Sequence, residues 1–406
     1  PPPPPPPRLD SSAASDVYKR QIRGGEYLND PKLVRALVGD AMDATLTFEG
    51  FGHIFSRDSE GGLSRMSLPP GGHRASRAIS SPWLGVSMCH AMRAAVARSG
   101  LEVLEETVCS ELLVKDGEVV GAAALRMMSG EPVALLAKSI VVAAGGGGTL
   151  YYPHTDCMPA VLGDSFGLGL RAGAELVDME QVQFLPFGIT HPPALLGIGC
   201  GEPSIAGTFG RLLNNKGEVV LENIMPMTRA QVARVVVEEI RRGGATEHGG
   251  LLLDLTPNLD SPDGEFFVTM LKKFAGPFLE SVHKAYGKEA FDFKVPWDVL
   301  PTAHYNMGGI KTDEWCRSRV AGLYACGQPQ ARVMRGNRLA STSLTEIFVP
   351  GKRAGRASAE EAKGRTPADE TVAGEAIDRL RSLPGSRGNN RPIELKRKLQ
   401  TLMWEK

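Results

Sequence analysis

Residues 140–148 constrain this chain more than any other stretch. Ile140-Val141-Val142-Ala143-Ala144 is a short, wholly apolar run that stops at four consecutive glycines, residues 145–148. Such a run suits a strand buried on both faces. Glycines at its end let the backbone approach a flat ligand or a phosphate closely. The bland alternative is a flexible loop, because no GxGxxG occurs in the chain. An antiparallel meander is predicted to feed the strand. Residues 111–114 run into the turn Asp116-Gly117 and return through Val119-Val120, and residues 129–132 turn the chain again. A helix is expected over residues 87–99, stopped by Gly100.

The 406 residues are enough for two or three domains. Lys plus Arg equals Asp plus Glu, 46 each, so nothing in the charge favours a nucleic-acid or other polyanionic partner. No apolar run is long enough to span a membrane. Cys89, Cys109, Cys157, Cys200, Cys316 and Cys326 lack CxxC or metal-ligand spacing, so no metal site is expected. Scattered in this way they suggest free thiols in a reducing compartment, hence a cytoplasmic location. Residues 1–21 open with seven prolines and are expected to be a non-native or disordered leader. Residues 181–303 have a different texture, loop-rich and with one clear helix. That helix opens after Thr228, carries Val232, Val235, Val236 and Ile240 on its apolar face, and closes at Gly243-Gly244.

Several residues suggest chemistry, each with a structural alternative. Asp164, before a helical run over residues 165–170, caps that helix or holds a cofactor hydroxyl. Arg229 in the first turn of its helix opposes the helix dipole, which is easier to understand if an anion sits there; the alternative is a solvated surface arginine. His304 precedes the double glycine of His304-Tyr305-Asn306-Met307-Gly308-Gly309. Arg338, within residues 337–344, clamps a carboxylate or forms a structural ion pair.

In order and spacing these segments resemble the fumarate reductase and succinate dehydrogenase flavoprotein family, which includes L-aspartate oxidases. Residues 24–30 resemble its GG-D-YL-x-D segment and residues 140–151 its second FAD-contacting strand and turn. Gly163-Asp164, residues 178–180 and Gln183-Phe184 match in order. Residues 304–310 resemble HYxMGGI, residues 322–327 GLxAxGE, and residues 337–344 NRLGxNSL. Residues 395–404 resemble the start of a C-terminal helical domain. The likeness covers about residues 22–406.

The resemblance implies an α/β fold: a Rossmann-like FAD-binding domain (22–181 and 304–358) interrupted by an α+β capping domain (182–303), then the start of a C-terminal helical region (359–406). It places the FAD phosphate loop upstream of residue 22, so weak FAD binding is expected of this stretch. It implies that Arg229 exchanges the proton with the substrate carbon, and that His304 and Arg338 grip a substrate carboxylate. Glu202 matches a substrate-site glutamate, with loose alignment. Ala144, Gly145, Gly146, Asp164, Gly327, Gln328, Arg338, Ser343 and Leu344 are implied FAD contacts. The implied partners are a small carboxylic acid substrate and an iron–sulfur electron-transfer subunit.

Arg229 needs a relay partner, with Glu202 and Glu239 both open. Three departures matter. The family's Gln-Phe-His-Pro-Thr reads Gln183-Phe184-Leu185-Pro186-Phe187, its Thr-Glu reads Gly201-Glu202, and the glutamate of GLxAxGE is Gln328. Loss of the histidine implies a substrate with one carboxylate and a less polar far end; otherwise Arg211 or His191 must replace it. The rival readings are an L-aspartate-oxidase-like enzyme and a non-catalytic flavoprotein with a degenerate site.

Overall fold

A computed structural model describes residues 12–65, 72–73, 75–79, 81–82, 84–383 and 391–405. The first element shows that the second half of the expected leader is helical rather than disordered. Helix α1 (Ser12–Gly24) occupies half of the supposed leader, and its Gln21 is buried, donating to the Asn337 carbonyl at 3.4 Å. The polyproline start masked an ordinary amphipathic pattern behind it; residues 1–11 lie outside the described residues. Helix α2 (Pro31–Gly50) begins with two sequence signals realised in space. Asp30 accepts from the Lys32 backbone N–H at 2.9 Å, and Pro31 fills the first helical position. Helix α3 (Leu84–Ser99) ends where Gly100 takes φ +72°.

The meander forms as read. Strands β1 (Thr107–Lys115), β2 (Glu118–Arg126) and β3 (Pro132–Leu136) make an antiparallel sheet, with Asp116 and Gly117 both at positive φ in the first turn. Strand β4 (Ile140–Val142) is shorter than the apolar run that announces it. Helix α4 (Asp164–Arg171) and the short strand β5 (Leu176–Val177) lead into the cap.

The cap is a six-stranded sheet with helices against it. Strands β6 (Val182–Ile189), β7 (Gly199–Gly201), β8 (Arg211–Leu213), β9 (Val219–Leu221), β10 (Leu251–Asp254) and β11 (Trp297–Asn306) lie in the order β7-β6-β11-β10-β8-β9. Helix α5 (Arg229–Glu239) is fixed by a reciprocal capping box between Thr228 and Gln231 and buries Val232 and Val236. Two further helices, α6 (Gly264–Phe274) and α7 (Gly276–Phe291), correct the expectation of a single helix here. Gly276 and Pro277 between them read as a loop, yet proline is tolerated in a helix's first turn. Leu271, Leu279 and Val282 pack with Phe187, Leu253 and Trp297 in one core.

The chain then returns to the first domain through β12 (Gly309–Ile310), which pairs with β5, and β13 (Leu323–Ala325), which pairs in parallel with β4. Strand β11 runs across residues 303 and 304, so the sheet of the cap extends past the boundary read from sequence. Helices α8 (Ser343–Lys363), α9 (Gly374–Ser382) and α10 (Pro392–Glu405) follow. Helix α10 folds back onto the glycine turn: Gln400 donates to the Thr149 carbonyl at 2.9 Å, and Trp404 stacks on His154 with ring centroids 3.7 Å apart. No described helix is long and apolar enough to cross a membrane.

Candidate functional site

Parallel strands β4 and β13 end side by side, and a glycine follows each within three residues. Gly145 has φ +78° and Gly327 φ +70°, a conformation that other residues adopt only with strain. A cavity of about 590 Å³ opens at these carboxyl ends, within the roughly 300–1,000 Å³ typical of ligand pockets. In parallel α/β sheets this end is where ligands bind. Gly145, Gly327, Gln328 and Ser343 line it, as do Phe48 of α2, Phe51 just after that helix and Ile347 of α8. Apolar side chains on both flanks suit a flat aromatic ring system. Gln328 Nε2 is buried without a protein partner, a donor left for a ligand acceptor. Gly146 packs so closely that an added Cβ would lie 2.7 Å from the Gln328 side chain and 2.8 Å from Asn306 Oδ1. These features fit FAD. Ala144 is exposed beside the turn, while Asp164 and Leu344 are exposed and outside the cavity lining. Asp164 is the first residue of α4, and no side chain caps that helix.

Tyr305 joins this cavity to a charged cluster beneath the cap. Its ring lines the cavity and carries the Arg338 guanidinium 4.7 Å from its centroid. Its hydroxyl bonds to the buried Glu346 carboxyl. Burial pushes the Glu346 carboxyl up to about 8, against the opposing pull of the Tyr305 hydrogen bond and Arg338. Arg338 is 2 % exposed. Burial, then the neighbouring Arg229, pull its guanidinium down to about 10.

Arg229 is no surface arginine. It is 4 % exposed, and it donates to Gln183 Oε1 at 2.6 Å and to Glu202 Oε1 at 2.5 Å. The carboxylate beside it offsets the unfavourable helix-end position. Burial opposes ionisation of Glu202, but Arg229, with Arg338 and His304 adding, holds its carboxyl below the ordinary range. Its Oε2 has no protein partner. Glu239 lies at the opposite end of α5, ten residues or about 15 Å away at 1.5 Å per residue. It accepts from Asn214. Of the two relay partners, Glu202 is the one in contact.

His304 on β11 places Nδ1 2.8 Å from Asp156 Oδ2. Burial pulls its imidazole below the ordinary value; Asp156 opposes this, and Arg338 and Arg229 reinforce it. Sequence reasoning assigned no role to Gln183, Asp156 or Tyr305. Gln183 was legible only as part of a matched Gln-Phe pair.

Phe187 is not a site residue. It is fully buried in the cap core with Val236 and Leu253, because β6 turns that position toward α5 and the helices beyond it. Leu185, 1 % exposed, stays near the cluster: a Cβ added at Gly199 would meet Leu185 Cδ1 at 3.1 Å and Asp156 Oδ2 at 3.2 Å. Arg211 pairs with Asp254 at 3.0 Å, and His191 packs on His248, so both have other partners.

A parallel strand pair followed by glycine turns, with Arg229 of α5 and Arg338 of the loop before α8 meeting beside the cavity at its end, defines a flavin-dependent oxidoreductase. The family model described as an FAD binding domain matches residues 10–344. A component of the fumarate reductase (CoM/CoB) of Methanothermobacter marburgensis is 34% identical over 403 residues, covering 98% of this chain and 71% of that protein. The fumarate reductase flavoprotein subunit of Escherichia coli is 29% identical, covering 95% of this chain and 65% of that one. A solved quinol fumarate reductase flavoprotein from E. coli superposes with a TM-score of 0.83 at 26% identity, covering 98% of this chain and 69% of that chain. The chain belongs to the FAD-binding domain family, among flavoproteins of the fumarate reductase and succinate dehydrogenase type, and is an FAD-dependent oxidoreductase.

Proposed function

We propose that this chain interconverts an unsaturated carboxylic acid and its saturated counterpart, with His304 and Arg338 gripping one carboxylate and Arg229 handling the proton. The observation that carries this is the convergence of Arg229 and Arg338 on Gln183 Oε1, beside the cavity wall made by Tyr305. Glu202 balances the charge of Arg229, so of the two guanidiniums drawn to this neutral amide one positive charge is left over for an anion. FAD, when bound, supplies or accepts the hydride.

The residues divide the remaining work. Arg338 is buried and pre-oriented over Tyr305, so it neutralises the charge that gathers on the substrate carboxylate as the adjacent carbon–carbon bond changes order. Arg229 delivers a proton to the substrate carbon in one direction and removes it in the other. Glu202, a carboxylate bonded to Arg229 and with Oε2 free, takes up a proton from solvent at Oε2 and passes it to Arg229, or runs the relay in reverse.

The electron partner proposed is an iron–sulfur protein, supported by relatives that are named as flavoprotein subunits. The six free cysteines support a reducing, cytoplasmic setting. Anaerobic reoxidation of chemically reduced flavin by 2-enoic acids tests the activity. Reoxidation faster than the flavin's own background supports it; no acceleration by any 2-enoic mono- or dicarboxylate at millimolar concentration overturns it.

A further inference from the structure

We propose that His191, His248 and Asp298 form a divalent transition-metal site on the cap, with zinc as the ion their chemistry fits. One ligand atom from each lies within 4.8 Å of the other two. The three come from separate segments. His191 follows β6, Asp298 lies on β11, and His248 sits in a tight turn where the Gly249 N–H donates to the Thr246 carbonyl at 3.0 Å. Strands β6 and β11 pair here through Ile189 and Val299, which brings Asp298 beside the His191 segment.

The surroundings orient the ligands. His191 Nδ1 lies 3.0 Å from Thr190 Oγ1, and the Thr190 hydroxyl reaches the Asp298 carbonyl at 3.3 Å. The Tyr286 hydroxyl also donates to the Asp298 carbonyl and lies 3.3 Å from Thr190 Oγ1. When the Thr190 hydroxyl accepts from Nδ1–H, Nε2 keeps its lone pair, the tautomer of a metal-binding histidine. Asp298 is 6 % exposed. Its Oδ2 accepts from Thr246 Oγ1 at 2.7 Å, and its Oδ1 has no protein partner. The His191 and His248 rings pack with centroids 3.8 Å apart and no hydrogen bond between them. His248 is exposed, which gives an ion an entry path and water a fourth position.

Two imidazole nitrogens and one carboxylate oxygen suit zinc, which takes N and O ligands at about 2.0–2.2 Å. Magnesium and calcium prefer all-oxygen shells. Drawing the three atoms to that separation needs movement mainly of the exposed His248. Asp298 and His304 are six residues apart on one strand, about 20 Å at roughly 3.3 Å per residue, so this centre is separate from the arginine cluster. Its effect is to clip the end of β6, the 246–250 turn and β11 together.

The test uses chelator-treated, flavin-loaded protein titrated with zinc chloride by calorimetry, with thermal unfolding in parallel. One equivalent is expected to bind with micromolar or tighter Kd and to raise Tm by several degrees, since an ion that binds only the folded state stabilises it. His248→Ala and His191→Ala are each expected to weaken binding tenfold or more, while magnesium has no effect. A cobalt-loaded sample is expected to lack a thiolate charge-transfer band. Absence of saturable 1:1 binding overturns the proposal. So does zinc affinity unchanged in both variants, or a thiolate band, either of which puts the ion on other residues.

Discussion

Arg229 and Arg338 share a single acceptor, Gln183 Oε1, at 2.6 and 3.2 Å. Gln183 is itself pinned: its Nε2 donates to Asn337 Oδ1 at 3.0 Å and to the Arg338 carbonyl at 2.9 Å. Two like charges are thereby spaced by a neutral amide that cannot rotate. Arg229 comes from α5 in the cap and Arg338 from the loop before α8, so the amide also fixes the cap against the flavin domain.

Replacing this amide separates spacing from charge. Gln183→Leu removes all four side-chain hydrogen bonds, two accepted and two donated, and is expected to lower kcat/KM by roughly a hundredfold, since displaced catalytic groups lose about that much. Gln183→Glu keeps the shape but adds a charge that competes with the substrate carboxylate, so KM is expected to rise more than kcat falls. Steady-state kinetics of both variants check this. Parent-like constants in both would remove Gln183 from its positioning role.

Substrate binding is expected to take up a proton. His304 has its imidazole pulled down by burial, and a neutral ring that donates Nδ1–H to Asp156 presents only a lone pair at Nε2. Gripping a carboxylate requires Nε2–H, hence the imidazolium. Above the lowered pKa each binding event must therefore protonate the ring, and KM is expected to rise with pH. Calorimetric titration in buffers of different ionisation enthalpy measures the uptake. Zero protons per substrate at pH 7.5 would contradict it.

Glu346 predicts the pH dependence of stability. Its carboxyl is raised to about 8 in the folded protein from an ordinary 4.5, first by burial. Between those values the folded state holds more protons than the unfolded state, so stability falls as pH rises. The contribution is fully present below pH 4.5 and lost by the time pH passes 8. Glu346→Gln is expected to flatten the Tm–pH profile across this window; an unchanged slope would show that other groups set it.

Substrate choice rests on Leu185. An ionised carboxylate against this side chain, with the Asp156 carboxylate nearby, loses hydration and gains no partner. A 2-enoic monocarboxylate such as crotonate is therefore expected to exceed fumarate in kcat/KM. Leu185→His is expected to reverse the order. If fumarate wins tenfold or more in the parent protein, some other cation meets the far carboxylate.

Much of this was legible because it is local. The hairpin at Asp116-Gly117, the stop at Gly100 and the start of α5 at Thr228 each follow from residues a few positions apart. The arginine cluster was legible only through motif resemblance, for Gln183 meets Arg338 across 155 positions. Phe187 differs from the expectation because β6 bulges: alternation would put it on the face of Leu185, but residues 186 and 187 together lie opposite Pro301, which turns Phe187 into the core. The His191–His248–Asp298 grouping is not legible in the sequence because its members share no spacing. Helices α6 and α7 were missed because Gly264, Gly276 and Pro277 signal turns when read locally, whereas here they open helices packed on the cap core.

Arg229 carries the central claim. With FAD supplied at saturating concentration, since weak binding is expected of this stretch, the flavin absorbance of Arg229→Gln protein should be close to the parent's, because Arg229 is not among the residues lining the flavin cavity. Single-turnover reoxidation of the reduced flavin by the preferred 2-enoic acid should then slow by roughly two orders of magnitude or more, as losing a general acid does. A rate within a few-fold of the parent, with flavin still bound, would contradict the account.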